Sequence, residues 1–179
     1  IRGTVQSTNT AIVLVSSGSH IIVLTANSTI TGNTSGAISL NGTVNGAYTL
    51  TLNTTAATTF AATVGNSAPL TAITTNSGGT VVFNTTAIET NGIQTYNDVA
   101  TLGGNITCTS TNNDIRFISP LNSDSTTRTL DIVASSGTTR FTGAVGGSAA
   151  LGNTTIGTAA LTAAAIKVQG TLAITNAGA

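Results

Sequence analysis

Few side chains in this 179-residue sequence could do acid–base, nucleophilic or metal chemistry. They are one histidine (His20), one cysteine (Cys108) and five carboxylates: Glu89, Asp98, Asp114, Asp124 and Asp131. A histidine base needs a nucleophile or an orienting carboxylate within hydrogen-bond reach. His20 sits in "SGSHIIV" with no carboxylate within 60 residues on either side, so it reads as structural. Sugar hydrolysis would need two carboxylates facing each other across a cleft. Each of the five acids lies near turn-forming residues, where acids are expected anyway. Calcium-binding rolls need dense Gly and Asp arrays, whereas "TNNDIRF" (111 to 117) offers one carboxylate. The run "GGSAALGN" (146 to 153) lacks the Lys-Ser/Thr ending of a phosphate loop. No catalytic, cofactor or metal residue is assigned, and the expectation is a protein that is not an enzyme.

Cys108 cannot form an intrachain disulfide. The alternation of "NITCTSTN" places it inward on a strand as a small hydrophobe, with no neighbour that would activate the thiol. Asn-x-Ser/Thr triplets occur at Asn27, Asn33, Asn41, Asn53, Asn84, Asn105 and Asn153. With 17 Asn and 55 Ser plus Thr, chance alone supplies about five of them, so they carry little weight as glycan acceptors. Thr-x-Thr pairs begin at Thr8, Thr29, Thr49, Thr107 and Thr127. On stacked strands they would form a flat threonine ladder, which raises ice binding as a distant alternative.

The elements that must position these residues follow from an unusual composition. Charged residues are 6% and aromatics 3%, against about 25% charged in ordinary soluble domains. No Lys, Arg, Asp or Glu falls between Gly3 and Ile88, and the net charge is zero. Disorder by composition needs low hydrophobicity and high net charge; at 40% hydrophobic, this chain should fold. A surface of hydroxyls, amides and methyls near neutrality promotes association. Five cations scattered at Arg2, Arg116, Arg128, Arg140 and Lys167 make no patch for nucleic acid. The most apolar run, "AIVLVSSGSHIIVLTA" (11 to 26), breaks at Ser16 to His20, too short for the roughly 20 continuous apolar residues of a membrane helix. Two short buried strands around a turn fit better. No basic, apolar leader opens the sequence, so a mature product or a piece of a longer polypeptide is expected.

Period-two alternation in "YTLTLN", "GAISLNG", "NITCTST" and "TLDIV" predicts strands, and Asn-Gly, Gly-Gly and Ser-Gly pairs between them mark turns. The Ala-rich "TAALTAAAIKV" (158 to 168) also reads mainly as strand. "TFAATVGNSAPL" (59 to 70) recurs 81 residues later as "RFTGAVGGSAAL" (140 to 151), and around it Ile38, Leu40 and Val44 align with Ile115, Phe117 and Leu121. Leu50 and Leu52 align with Leu130 and Ile132. Self-similarity at a fixed period marks a repeat architecture. Ile30, Leu50 and Leu70 stand 20 apart, and Leu130, Leu151 and Leu172 stand 21 apart. These spacings predict an all-β parallel β-solenoid with coils of about 20 residues, roughly nine of them at about 4.8 Å per coil. Two tandem β-sandwich domains are the alternative. The chain divides into N-terminal apolar strands at 1–35, serving as cap or assembly contact, a first repeat unit at 36–112, and a second, incomplete one at 113–179. The first copy of the repeated motif, in the charge-free half, is expected to be the more enclosed.

The stretch "NGIQTYNDVATLGGNITCTSTNNDIRFISPLNSDSTTRTLDIVASSGTTRFTGAVGGSAALGNTTI" (91 to 156) resembles the repeats of very large bacterial surface proteins, the filamentous-haemagglutinin-like and autotransporter-adhesin group. The resemblance covers about residues 36 to 156 and rests on a repeat style. It implies an exported, elongated β-helix that builds adhesive or structural material at the cell surface or outside the cell. The expected function is a self-associating structural subunit or segment of an extracellular filament, sheath or surface layer, its main partner being copies of itself. An adhesin passenger that binds cell-surface ligands is the alternative.

Overall fold

In Thr49–Thr54 every second residue, Leu50, Leu52 and Thr54, is buried, while Thr49, Thr51 and Asn53 stay partly exposed. The same alternation recurs along the chain and gives each strand one inward and one outward row. The computed structural model describes residues 1–8, 10–15, 21–33 and 36–176. Among them there is no helix, and every strand pairing is parallel. The chain winds into a β-solenoid of about 8 turns with coils of about 22 residues, and tandem sandwiches are excluded by the parallel pairing.

Each coil contributes to three faces. The first face stacks β1 (Gly3–Gln6), β4 (Ser28–Asn33), β7 (Thr49–Thr54), β9 (Ala72–Thr75), β12 (Gln94–Tyr96), β15 (Ile115–Phe117), and the ends of β17 (Leu130–Phe141) and β18 (Thr154–Ala163). The second stacks β2 (Ile12–Leu14), β5 (Ile38–Leu40), β8 (Ala57–Phe60), β10 (Thr80–Phe83), β13 (Val99–Leu102) and β16 (Leu121–Ser123). It continues as single bridges at Val145 and Ile166. The third runs from β3 (Ile21–Val23) and β6 (Thr43–Asn45) through a bridge at Val64 to β11 (Ala87–Thr90) and β14 (Ile106–Ser110). The beginnings of β17 and β18 and then β19 (Leu172–Asn176) complete it.

The predicted 20-residue stacks are corrected by this register. Ile30 lies against Leu52, not Leu50, and Leu50 against Ile73; Leu130 lies against Thr154, which lies against Leu172. Coil length varies because corner loops differ. The Ala-rich run is strand, as expected, within β18 and the bridges that follow it. The early apolar run forms β2 and β3 on different faces; Ile12 and Ile22 point inward, but Val13, Val15, Ile21 and Val23 are exposed.

The core is one continuous column of aliphatic side chains crossed by an aromatic stack. Phe60 and Phe83 are parallel at 5.6 Å on the second face, while Tyr96, Phe117 and Phe141 stack at 4.9 and 5.4 Å on the first. Phe83 meets Tyr96 edge-on at 5.0 Å and joins the two rows. Offset and edge-on geometries are those that ring quadrupoles favour.

The 81-residue repeat does not return to the same face. Phe60 is on the second face and Phe141 on the first; Val64 is on the third and Val145 on the second; Leu50 is on the first and Leu130 on the third. With three faces in about 22 residues, an 81-residue shift spans about eleven faces, or three coils and two further faces. The unit therefore recurs rotated by a third of a turn, and the three faces are interchangeable environments for it.

Local bonding confirms that equivalence. Gly65 N–H donates to Val44 O and Gly146 N–H to Leu121 O, both at 2.7 Å. Both glycines have positive φ, 80° and 69°. A Cβ on either would lie 2.1 Å from the carbonyl oxygen of Glu89 or Lys167 on the next coil. The Asn45 amide oxygen accepts from the N–H groups of Ser67 and Ala68, as the Asn122 oxygen does from Ser148 and Ala149. The first copy is not the more enclosed, and the two are equal: Phe60, Val64, Gly65 and Leu70 are buried like their counterparts, Ala150 is buried where Pro69 is half-buried, and Thr59 is half-buried where Arg140 is exposed.

Candidate functional site

The residues singled out for chemistry are dispersed. His20 lies outside the described residues. Glu89 and Asp131 both point outward on the third face but belong to coils two steps apart, roughly 10 Å of axial rise. Asp114 pairs with Arg116 at 2.5 Å and Asp124 with Arg128 at 2.8 Å. Burial pushes the Asp114 carboxyl up, but the Thr138 N–H and the Arg116 guanidinium outweigh it and hold it below the usual range. Asp124 is lowered chiefly by hydrogen bonds from Arg128, then by the Thr126 N–H. These pairs are partly exposed and contribute little to stability. No group of three or more metal-ligating side chains occurs among the described residues. Cys108 occupies the inward position foreseen for it, between Ile88 and Ile132; burial pushes its thiol up to about 12.

Asparagines take a structural role that sequence reasoning missed. The side-chain oxygens of Asn27, Asn105 and Asn153 accept the N–H groups of Thr49, Thr129 and Thr171 on the next coil, each at 3.0 Å. Asn76 does the same in the opposite direction, to Thr54 N–H on the preceding coil at 2.8 Å. A corner leaves main-chain donors that the flat ladders cannot satisfy, and the amide supplies the acceptor. Three of the seven Asn-x-Ser/Thr triplets thus begin with a corner bracket. The signal in sequence was Asn immediately before a strand, at 27, 105 and 153.

Asp98 is a bracket that carries a cost. It is 1% exposed; one carboxylate oxygen accepts Gly79 N–H at 2.8 Å and the other has no partner. Burial raises its carboxyl above the ordinary value, opposed more weakly by hydrogen bonds from Gly79 and Thr75. The folded state therefore holds the proton more tightly than the unfolded chain. This group's contribution to stability is fullest below the unfolded carboxylate value and is lost as pH rises through the raised folded value. Asp98→Asn is expected to raise the urea midpoint at neutral pH, with the advantage over the parent shrinking as pH falls toward the unfolded value. A pH-independent difference would contradict this.

A buried polar cluster is fully used. The Gln94 amide nitrogen donates to Thr109 O at 2.7 Å and to Ile88 O and Thr90 Oγ1, and its oxygen accepts from the Tyr96 hydroxyl at 3.0 Å. It ties the first face to the third inside the core and offers no group to a ligand.

The most regular surface is the outward row of the first face. Thr4, Thr29, Thr51, Thr74 and Thr95 stand in register on five successive coils, about 4.8 Å apart; Arg116 and Arg140 continue the row. This is a different ladder from the predicted one: Thr49 lies against Ala72 and Thr107 against Ala87 and Asp131. At its rim a groove of about 470 Å³ is lined by Thr8, Thr31, Asn33, Asn53, Thr54, Thr55 and Asn76, all uncharged. No protein family, no curated protein and no solved structure matches the chain. Among the described residues no helix is long and apolar enough to cross a membrane.

Proposed function

We propose that this chain is a non-enzymatic structural protein, a subunit or segment of an extracellular filament, sheath or surface layer that self-associates through β-strand contacts. On this reading it is of the filamentous-haemagglutinin-like and autotransporter-adhesin kind. The observation that carries the proposal is the set of three parallel ladders running coil after coil, in which the outermost strands β1 and β2 pair with a neighbouring strand on one side only. Such edges template pairing with another chain. The exposed Val13, Val15, Ile21 and Val23 on the first coil add apolar area in a half of the chain without charge beyond Arg2. Negative-stain electron microscopy of the purified chain tests the proposal: filaments of uniform width are expected, and isolated short rods at all concentrations would overturn it.

The in-register threonine row favours a second reading, ice binding, because a flat lattice of methyls and hydroxyls can order water on one face. It predicts inhibition of ice recrystallisation that is lost in Thr74→Lys; an inactive parent chain would end this reading.

A further inference from the structure

Beyond strand-edge pairing along the axis, we propose that copies of this chain dock side by side, axes parallel and coils level, with the first face of one laid on the third face of its neighbour and Arg140 seated beside the neighbour's Asp131.

The outward charges divide by face. Arg116 and Arg140 stand directly opposite each other on adjacent strands of the first face, and like charges so placed destabilise a sheet. Asp114 pairs with Arg116 alone. Among the described residues Arg140 has no ion-pair partner, and neither has Glu89 or Asp131, the outward acids of the third face. Each face thus carries charge that the chain itself leaves uncompensated, and the signs are opposite.

The heights agree as well. β17 carries Asp131 near its start and Arg140 near its end, so level docking sets Arg140 against Asp131 of the neighbour. Arg116 lies one coil before Arg140, and Glu89 two coils before Asp131, which brings Arg116 within about one coil, roughly 4.8 Å of rise, of the neighbour's Glu89. Antiparallel axes would instead set this charged half against coils that hold no charge between Gly3 and Ile88. Arg2, on the first coil, meets no acid in this arrangement and stays solvated.

The third face has room for the incoming side chain. Val133, two residues past Asp131 on the same outward side, is 41% exposed, and with Ser135, Ser136 and Gly157 it lines a groove of about 350 Å³. The apolar stem of an arginine fits such a groove while its guanidinium reaches the carboxylate. Thr95 and Thr162 flank the two arginines on the first face, and Thr107 and Thr155 flank Asp131 on the third, so the sheets can approach to about 10 Å. About eight coils at roughly 4.8 Å and strands of about five residues at roughly 3.3 Å make a face of roughly 38 by 16 Å. Two such faces bury about 1,200 Å² in all, above the roughly 1,000 Å² of a specific interface. Because the paired faces differ, each copy keeps one of them free, and the contact repeats into a layer or bundle.

Sedimentation velocity and negative-stain electron microscopy of the full chain read the contact as assembly width. Asp131→Arg and Arg140→Asp each set like charges against each other across the contact and are expected to weaken lateral association by about tenfold or more. The double variant Asp131→Arg/Arg140→Asp restores the pair with its signs exchanged and is expected to recover the parent's width. Neither side chain has an ion-pair partner within the described residues of its own chain, so far-UV circular dichroism should match the parent in all three variants. Single variants as wide as the parent, or a double variant as narrow as the singles, would overturn the docking. Parent filaments one solenoid wide would overturn it and leave strand-edge pairing standing; monomers throughout would overturn both.

Discussion

Phe83→Ala is expected to destabilise the solenoid by about 3–5 kcal/mol, the range for removing a fully buried aromatic side chain. Phe83 is 0% exposed and touches three rings: Phe60 in parallel, Tyr96 and Phe117 edge-on. It is the one ring joining the aromatic row of the second face to that of the first. Truncation leaves a void that parallel ladders cannot close, because coil spacing is fixed by main-chain hydrogen bonds above and below. Phe83→Leu keeps most of the volume and should cost less than about 1.5 kcal/mol. Denaturant titration followed by far-UV circular dichroism reads both variants. Equal losses would mean that apolar bulk cannot replace the ring, and would contradict the void as the main cause of the Phe83→Ala loss.

The second large effect is expected at the repeated corner. Gly65→Ala forces a Cβ onto a residue at φ 80°, against the Glu89 carbonyl oxygen at 2.1 Å. The conformation alone costs about 1–3 kcal/mol. The contact is with backbone, so the loop must shift and weaken the bond from Gly65 N–H to Val44 O. Gly146→Ala should lose a similar amount, since its φ, its 2.1 Å clash and its bond to Leu121 are equivalent. Matching losses in the two variants, on different faces of the solenoid, would support the interchangeability of the faces. A neutral Gly65→Ala alongside a damaging Gly146→Ala would contradict it.

The solenoid class was legible because alternation such as "YTLTLN" allows one buried and one outward row and nothing more elaborate. The coil length, read as about 20 residues, was also legible to within about two residues, but which residues stack on which was not. The apolar pairs at 20 and 21 residues were real coincidences of Leu and Ile. The true offset between stacked residues varies from Leu151 on Val168, 17 apart, to Ile12 on Ile38, 26 apart. Corner loops absorb those differences, and their lengths leave no period in the sequence. The aromatic stack was hidden for the same reason: Phe60, Phe83, Tyr96, Phe117 and Phe141 look scattered until coils are laid in register. Tyr48 alone of the six is exposed.

The corner repeat was legible as a repeat but not as a rotation. Phe60 and Phe141 share their flanking pattern because both close a strand before the same corner, whichever face that corner follows. The asparagine brackets were also in view, as turn formers and as Asn-x-Ser/Thr triplets. Their partners lie about a coil away, so only the stacked structure distinguishes Asn27, whose oxygen holds Thr49, from an asparagine that merely tolerates a turn. Asp98 illustrates the limit on the chemical side: its burial and its unpaired oxygen come from the corner it occupies, and nothing in "YNDVA" distinguishes it from Asp124, which is paired at the surface.

The most direct test of the account as a whole is cryo-electron microscopy of material assembled from the purified chain, read as layer lines. Coils stacked along the axis predict a reflection at about 4.8 Å together with an axial subunit repeat of about eight coils, roughly 38 Å, set by the turns of one solenoid. The shorter spacing without the longer one would indicate a cross-β fibril of unfolded chains, and its replacement by compact particles with no axial order would contradict a self-associating solenoid.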